Sequence, residues 1–151
     1  MEIETTRMID KIASECVGAR VRILGRIVSG IYDDALRPIG LRVSQMNILV
    51  ATAKFGVARQ SDICETLAMD HSTVSRNVDR MIARGWIETL PDSDGRAAPF
   101  RVTKPGLQLL SEKAYPAWQQ AQKAIVKLLG SEGLSSIRSA TRRVKESEDI
   151  E

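Results

Sequence analysis

With 151 residues, the chain has room for one domain, or for one domain with appended helices. Its residues are 43% hydrophobic but only 4% aromatic, which calls for an aliphatic core of the kind that packed helices build. The net charge of +3, with seven Lys or Arg against seven Asp or Glu over residues 59–104, removes overall charge as an argument for nucleic-acid binding and leaves only the placement of individual arginines.

Residues 8–36 carry apolar positions at Ile9, Ile12, Ala13, Cys16, Val17, Ile23, Leu24, Ile27, Val28, Ile31, Ala35 and Leu36, a helical periodicity that predicts one long amphipathic helix ending before Pro38 and Gly40. Arg20 interrupts the apolar stripe one turn after Cys16. An unpaired charge on a buried face is expensive, so Arg20 would pair with a carboxylate of a partner chain, snorkel to the surface, or hold an anionic ligand. A second helix is expected from near Ser44, its candidate N-cap, to Gly56, with Met46, Leu49, Val50 and Ala53 facing inward.

Gln60 to Leu67 reads as a short helix with Ile63, Cys64, Leu67 and Ala68 as its apolar stripe, and Ala68 to His71 leaves space only for a tight turn. The following helix is the most informative part of the chain. At 100° per residue, Val74, Val78, Met81 and Ile82 share one side, while Ser72, Thr73, Arg76, Asp79 and Arg80 share the other. Asp70 is its expected N-cap, accepting from the Thr73 amide, and Gly85 its expected stop. An apolar back and a front of hydroxyls and arginines suit a helix that docks inward and offers hydrogen bonds to a DNA major groove.

Residues 86–90 and 99–103 read as two strands around a Pro, Asp, Ser and Gly-rich turn, a β-hairpin with Arg96 near its tip. Leu107 to Leu129 is periodic with an expected break at Pro116, Gly130 to Gly133 punctuates, and Leu134, Ile137, Ala140, Thr141 and Val144 mark a last helix before a charged tail.

The runs Asp70-His71-Ser72-Thr73-Val74-Ser75-Arg76, Arg84-Gly85-Trp86-Ile87-Glu88, Asp92-Ser93-Asp94-Gly95-Arg96 and Thr103-Lys104-Pro105-Gly106 together resemble the winged helix-turn-helix of the MarR family of bacterial transcriptional regulators. The likeness spans roughly residues 10–130 and extends upstream through residues 32–41 and 44–49. Two positions depart from the pattern. Gly95 precedes Arg96 where many members carry two arginines, so only Arg96 inherits a minor-groove role. Arg59 stands where many members open the first helix of the pair with a hydroxyl residue.

The expected fold is mostly α with a small β-hairpin wing: residues 40–106 form the winged helix-turn-helix, and residues 1–38 and 107–151 form dimerisation helices. A monomer with an intramolecular bundle is the alternative. The expected partners are double-stranded DNA with a palindromic operator and a second copy of the chain. Ser72, Thr73, Ser75, Arg76 and Arg80 are the candidate major-groove and phosphate residues, and Arg96 the minor-groove residue.

The resemblance implies a pocket between dimer helices and winged domain, for a small anionic or phenolic effector, which Arg20 would line. It also raises an oxidation-sensing role for Cys16, whose thiolate Arg20 could stabilise. Cys64 is assigned to packing. No catalytic constellation, metal set or cofactor loop is present in the sequence, and no apolar run reaches the roughly 18 residues of a membrane span. The start Met1-Glu2-Ile3-Glu4 lacks a signal-peptide pattern, so a cytoplasmic regulator is expected. The rival reading is a winged helix that docks protein.

Overall fold

Two helices rather than one lead the chain in the computed structural model, which describes residues 2–91 and 97–148. Helix α1 (Glu2–Glu15) and helix α2 (Val17–Leu36) meet at Cys16, where ψ swings to 105°. The expected single helix over 8–36 is thus corrected. Its apolar spacing runs through the break because a single extended residue leaves the order of apolar positions unaltered. Val17 and Gly18, both poorer helix formers, follow the break directly. The Arg20 guanidinium donates to the Ser14 carbonyl oxygen at the end of α1, a place where helical carbonyls lack partners. A short 3₁₀ turn, Arg37–Ile39, closes α2 through Gly40 at φ 69°.

Helix α3 (Val43–Phe55) begins two residues earlier than an N-cap at Ser44 implies, so Arg42 rather than Ser44 holds the N-cap position. An arginine has no acceptor to offer, and neighbours supply the cap. Gln45 Oε1 accepts from the Arg42 amide at 3.1 Å, and Asp33 Oδ1 accepts from the Val43 amide at 2.8 Å. Met46 and Leu49 are buried as expected, but Val50 and Ala53 are exposed, and Ile48, Ala51 and Thr52 face the core instead. Helix α3 is packed on several sides, so a single stripe misplaces its boundary.

Helix α4 (Gln60–Leu67) starts at Arg59, whose amide is capped by Asp62 Oδ2 at 2.7 Å. It ends at Ala68, which adopts left-handed φ 50° and ψ 47°. That turn carries Ala68 out of the expected stripe to an exposed position, while Ile63 is buried. Helix α5 (His71–Ala83) follows. Its end is a Schellman closure: the Trp86 amide bonds Met81 O and the Gly85 amide bonds Ile82 O, both at 2.9 Å, with Gly85 at φ 72°.

Strands β1 (Ile87–Thr89) and β2 (Phe100–Val102) pair antiparallel with Ile87 opposite Val102 and Thr89 opposite Phe100. Ala58 bridges Phe100 on its other side through two 2.9 Å bonds, tying the hairpin to the segment before α4. Helix α6 (Lys104–Gln108) is capped by Thr103, which accepts from the Gly106 amide at 3.1 Å and donates to Gly85 O at 2.5 Å. Gly106 is required there, since a Cβ would overlap the Trp86 carbonyl and come within 2.7 Å of Val102 Cγ1.

Pro116 does not break the next helix, contrary to expectation. Leu109–Ala114 wind as a π-helical turn, and the Tyr115 amide reaches back five residues to Leu110 O. The wider turn takes up the missing proline donor, and helix α7 (Tyr115–Glu148) continues to a real interruption at Gly130, φ 68° and ψ 173°.

Leu36, Ile48, Leu49, Ile63, Val74, Met81, Ile87 and Phe100 form the core, where α3, α4, α5 and the hairpin meet. Helix α2 packs along α7, and the Tyr32 hydroxyl donates to Gln122 Oε1 between them. Among the described residues nothing covers the apolar side of α1 and the first half of α2: Ile9, Ile12, Val17, Val21 and Ile23 are all more than half exposed.

Candidate nucleic-acid interface

Helix α5 sits on the core by the back that its periodicity predicts. Val74, Val78 and Met81 are buried and Ile82 is half-buried, while Ser72, Arg76, Asp79 and Arg80 are exposed. Asn77 is buried without being apolar, and its amide donates to the Thr73 carbonyl at 2.9 Å.

The start of α5 is organised by one carboxylate. Asp70 Oδ1 accepts from the Thr73 amide at 2.8 Å and from Ser72 Oγ at 2.6 Å, and Oδ2 accepts from Thr73 Oγ1 at 2.6 Å. The Ser72 hydroxyl foremost, then the Thr73 hydroxyl and amide, hold the Asp70 carboxyl far below the usual carboxylate range. Gln60 of α4 donates to the His71 carbonyl at 2.6 Å, fixing the angle of the two helices. Ser75 is half-buried and borders a small hollow with Thr89, Ala97 and Phe100, so it faces the hairpin rather than the outer front.

Tertiary packing adds arginines that the helix alone does not show. Arg37, Arg42, Arg80 and Arg84 surround a shallow hollow of about 490 Å³ between the end of α2, the start of α3 and the end of α5. Arg84 is held there, donating to Gly40 O at 2.5 Å with its guanidinium 4.9 Å from the Trp86 ring centroid. Arg37 pairs with Asp34 at 2.5 Å. Arg76, Arg80 and Arg42 are exposed, and among the described residues none of the three enters an ion pair. Sequence periodicity identified Arg80. It did not single out Arg84, one turn beyond Arg80, and it missed Arg37 and Arg42, which lie on other elements with no spacing shared with α5.

Arg96 lies outside the described residues. The base of its hairpin is anchored by the Arg101–Glu88 pair at 2.7 Å and by Arg59 Nη1 donating to Ala97 O at 2.9 Å.

A second cavity, of about 820 Å³, opens between α3 and the α6–α7 junction. Met46, Val50, Leu107, Leu110, Tyr115 and Trp118 give it an apolar lining, to which Lys104 and Asn47 add polar groups. Arg20 and Cys16 are exposed on the N-terminal helices and do not line it. Burial, and then the Asp70 charge, push the Cys64 thiol up, which agrees with a packing role. Among the described residues no helix is long and apolar enough to cross a membrane, and no group of His, Cys, Asp and Glu is assembled for a metal ion.

The chain is 19% identical over 129 residues to the multiple antibiotic resistance protein MarR of Salmonella typhimurium, covering 85% of this chain and 90% of that protein. Its fold matches an Escherichia coli MarR variant complexed with operator DNA at a TM-score of 0.75, with 16% identity over 89% of this chain and 96% of the other. It also matches Bordetella bronchiseptica BpsR, whose DNA binding is regulated by 6-hydroxynicotinic acid, at a TM-score of 0.74, with 23% identity over 87% and 94% of the two chains. Residues 39–97, from the end of the 3₁₀ turn after α2 into the hairpin, match the sequence profile of the MarR family. Helix pair, hairpin and profile agree: the chain has the winged helix-turn-helix fold, and over residues 39–97 it is similar to the MarR family of transcriptional regulators.

Proposed function

We propose that the chain acts in the cytoplasm as a homodimeric repressor that grips a palindromic operator and is released by a small effector. The observation that carries the DNA reading is the front of α5. Its back is sealed into the core while Arg76 and Arg80 stand exposed, continuous with the basic hollow at the end of the helix. Arg76 reads a base edge; Arg80 and Arg42 hold phosphate and set register without specifying sequence. Arg96 reaches the minor groove. The wing base, anchored by Arg59 and Arg101, supports that placement.

The uncovered stripe on α1 and α2 supports self-association, because a monomer rarely leaves so long an apolar row in water. Two-fold symmetry would set two recognition helices about 34 Å apart, one DNA turn. Residues 1–38 and 107–151 then serve as the dimerisation region and residues 40–106 as the DNA-binding domain. The apolar cavity beside Trp118 suits an aromatic ring, with Lys104 for an anionic or phenolic group. It supports the effector reading better than Arg20 does, since that guanidinium is already bonded to Ser14.

Purified protein titrated against salt on DNA from around its own gene tests the reading. Arg76→Ala should cost about 1–3 kcal/mol and relax specificity, while Arg80→Ala should weaken all sequences alike and lower the salt slope by about one. Weak binding, indifferent to sequence and to Arg76→Ala, would instead favour the protein-docking reading, which the equal numbers of acidic and basic residues over 59–104 keep in view.

A further inference from the structure

We propose that Asp70 fixes the hydrogen-bonding polarity of the recognition helix, so that Ser72 and Thr73 meet DNA as acceptors and select adenine or cytosine where they touch. The inference rests on the DNA-binding reading of α5 and adds a rule for the bases it prefers.

An ionised carboxylate can only accept hydrogen bonds, and a hydroxyl owns a single proton. Ser72 Oγ and Thr73 Oγ1 each lie 2.6 Å from an Asp70 oxygen, so each proton points into the carboxylate. The Asp70 carboxyl is held far below the usual range, which keeps it ionised wherever the protein is used. What the two hydroxyls can show to a ligand is therefore lone pairs. Donation to a charged acceptor also polarises each oxygen and makes it a better acceptor in turn.

The consequence for DNA is selective. In the major groove adenine N6 and cytosine N4 donate, while guanine O6 and N7 and thymine O4 accept. Phosphate oxygens only accept. Free hydroxyls could serve any of these, but hydroxyls committed to Asp70 can bond only to the amino groups. Ser72 is exposed and Thr73 half-buried, beside the outward Arg76. Labour on the helix is thereby divided: Arg76 and Arg80 take acceptor edges and phosphates, and the hydroxyls take amino donors. The Asp70 charge at the helix start, where an anion would otherwise be drawn, reinforces the exclusion of phosphate from these two residues.

The test is selection of binding sites from randomised operators by the full-length chain and by Thr73→Val, Ser72→Ala and Asp70→Asn. Positions whose preference disappears in Thr73→Val or Ser72→Ala should hold adenine or cytosine in the parent. Asparagine caps helices well and keeps one oxygen for the Thr73 amide, but its Nδ2 donates to Thr73 Oγ1 and turns that proton outward. In Asp70→Asn the Thr73 position should shift toward guanine or thymine, by about fivefold in relative affinity or more. A chemical counterpart needs no folded variant at residue 70. Where the parent's Thr73 position holds adenine, the analogue is purine, which lacks the amino group; where it holds cytosine, it is 2-pyrimidinone. Either should weaken binding of the parent by about fivefold and leave Thr73→Val unaffected.

A Thr73- or Ser72-dependent position that prefers guanine or thymine in the parent would overturn the inference while leaving DNA recognition by α5 intact. So would the absence of any position that depends on either hydroxyl. A parent that selects no sequence at all would overturn the DNA reading itself.

Discussion

The winged core and the N-terminal helices share one kind of sequence pattern and reach opposite outcomes. Leu36, Ile48, Leu49, Ile63, Val74 and Met81 are shut away from solvent within one chain, whereas Ile9, Ile12, Val17, Val21 and Ile23 line up on a face that nothing among the described residues covers. Amphipathic periodicity says that a helix has a face to bury; it does not say whose surface buries it. The core residues are met by α3, α4, α5 and the hairpin folding on one another, and α2 finds α7 only along its second half. The rest of the stripe is complete only against another surface, which under the proposed function is a second copy.

Four substitutions would break or sharpen that contrast. The largest effect is expected in the core: Leu49→Ala should cost about 2–5 kcal/mol in urea denaturation. Folded Leu49→Ala protein should keep the parental mass in sedimentation. Ile12→Glu should act the other way, weakening self-association by roughly 1.5–3 kcal/mol, the worth of one buried aliphatic side chain, and lowering both the mass in sedimentation and the melting temperature at dilute protein. If Ile12→Glu left mass and melting unchanged, the exposed face would need an explanation other than a partner.

Gly106→Ala should destabilise the hairpin–α6 junction by about 1–3 kcal/mol, because the added methyl meets the Trp86 carbonyl, a backbone atom that cannot swing aside. Oligomer mass should not change. Ala68→Gly is the smallest, a gain of up to about 1 kcal/mol in the helix-turn-helix, since glycine accepts the left-handed backbone that Ala68 adopts at a strain. A loss of stability there would mean that the alanine methyl packs in a way its exposure does not suggest.

Helix α5 was legible in the residues because every signal for it is local. Asp70 caps three residues on, Gly85 takes the positive φ that ends the helix, and four apolar side chains recur on one side. The hairpin was legible for the same reason, through turn residues between two short apolar strands. The break at Cys16 was not, because it preserves the spacing that predicted continuity. Pro116 misled because a proline's cost depends on whether the turn before it can widen, and the π-helical turn at Leu109–Ala114 does so.

The candidate site divides along the same line. Arg76 and Arg80 follow from the helix phase alone. Asp70 as a cap was visible, but that its second oxygen also captures the Thr73 hydroxyl depends on side-chain geometry that spacing does not carry. The basic hollow is tertiary in its assembly: Arg80 and Arg84 share the end of α5, but Arg37 and Arg42 come from the end of α2 and the start of α3, and only packing of these helices brings the charges together. The sequence by itself determined the elements with local causes, namely caps, turns and apolar faces within one helix. Tertiary structure alone decided which faces are covered, which arginines converge and where the apolar cavity lies, because each of those depends on distances between residues that no helical or strand period relates.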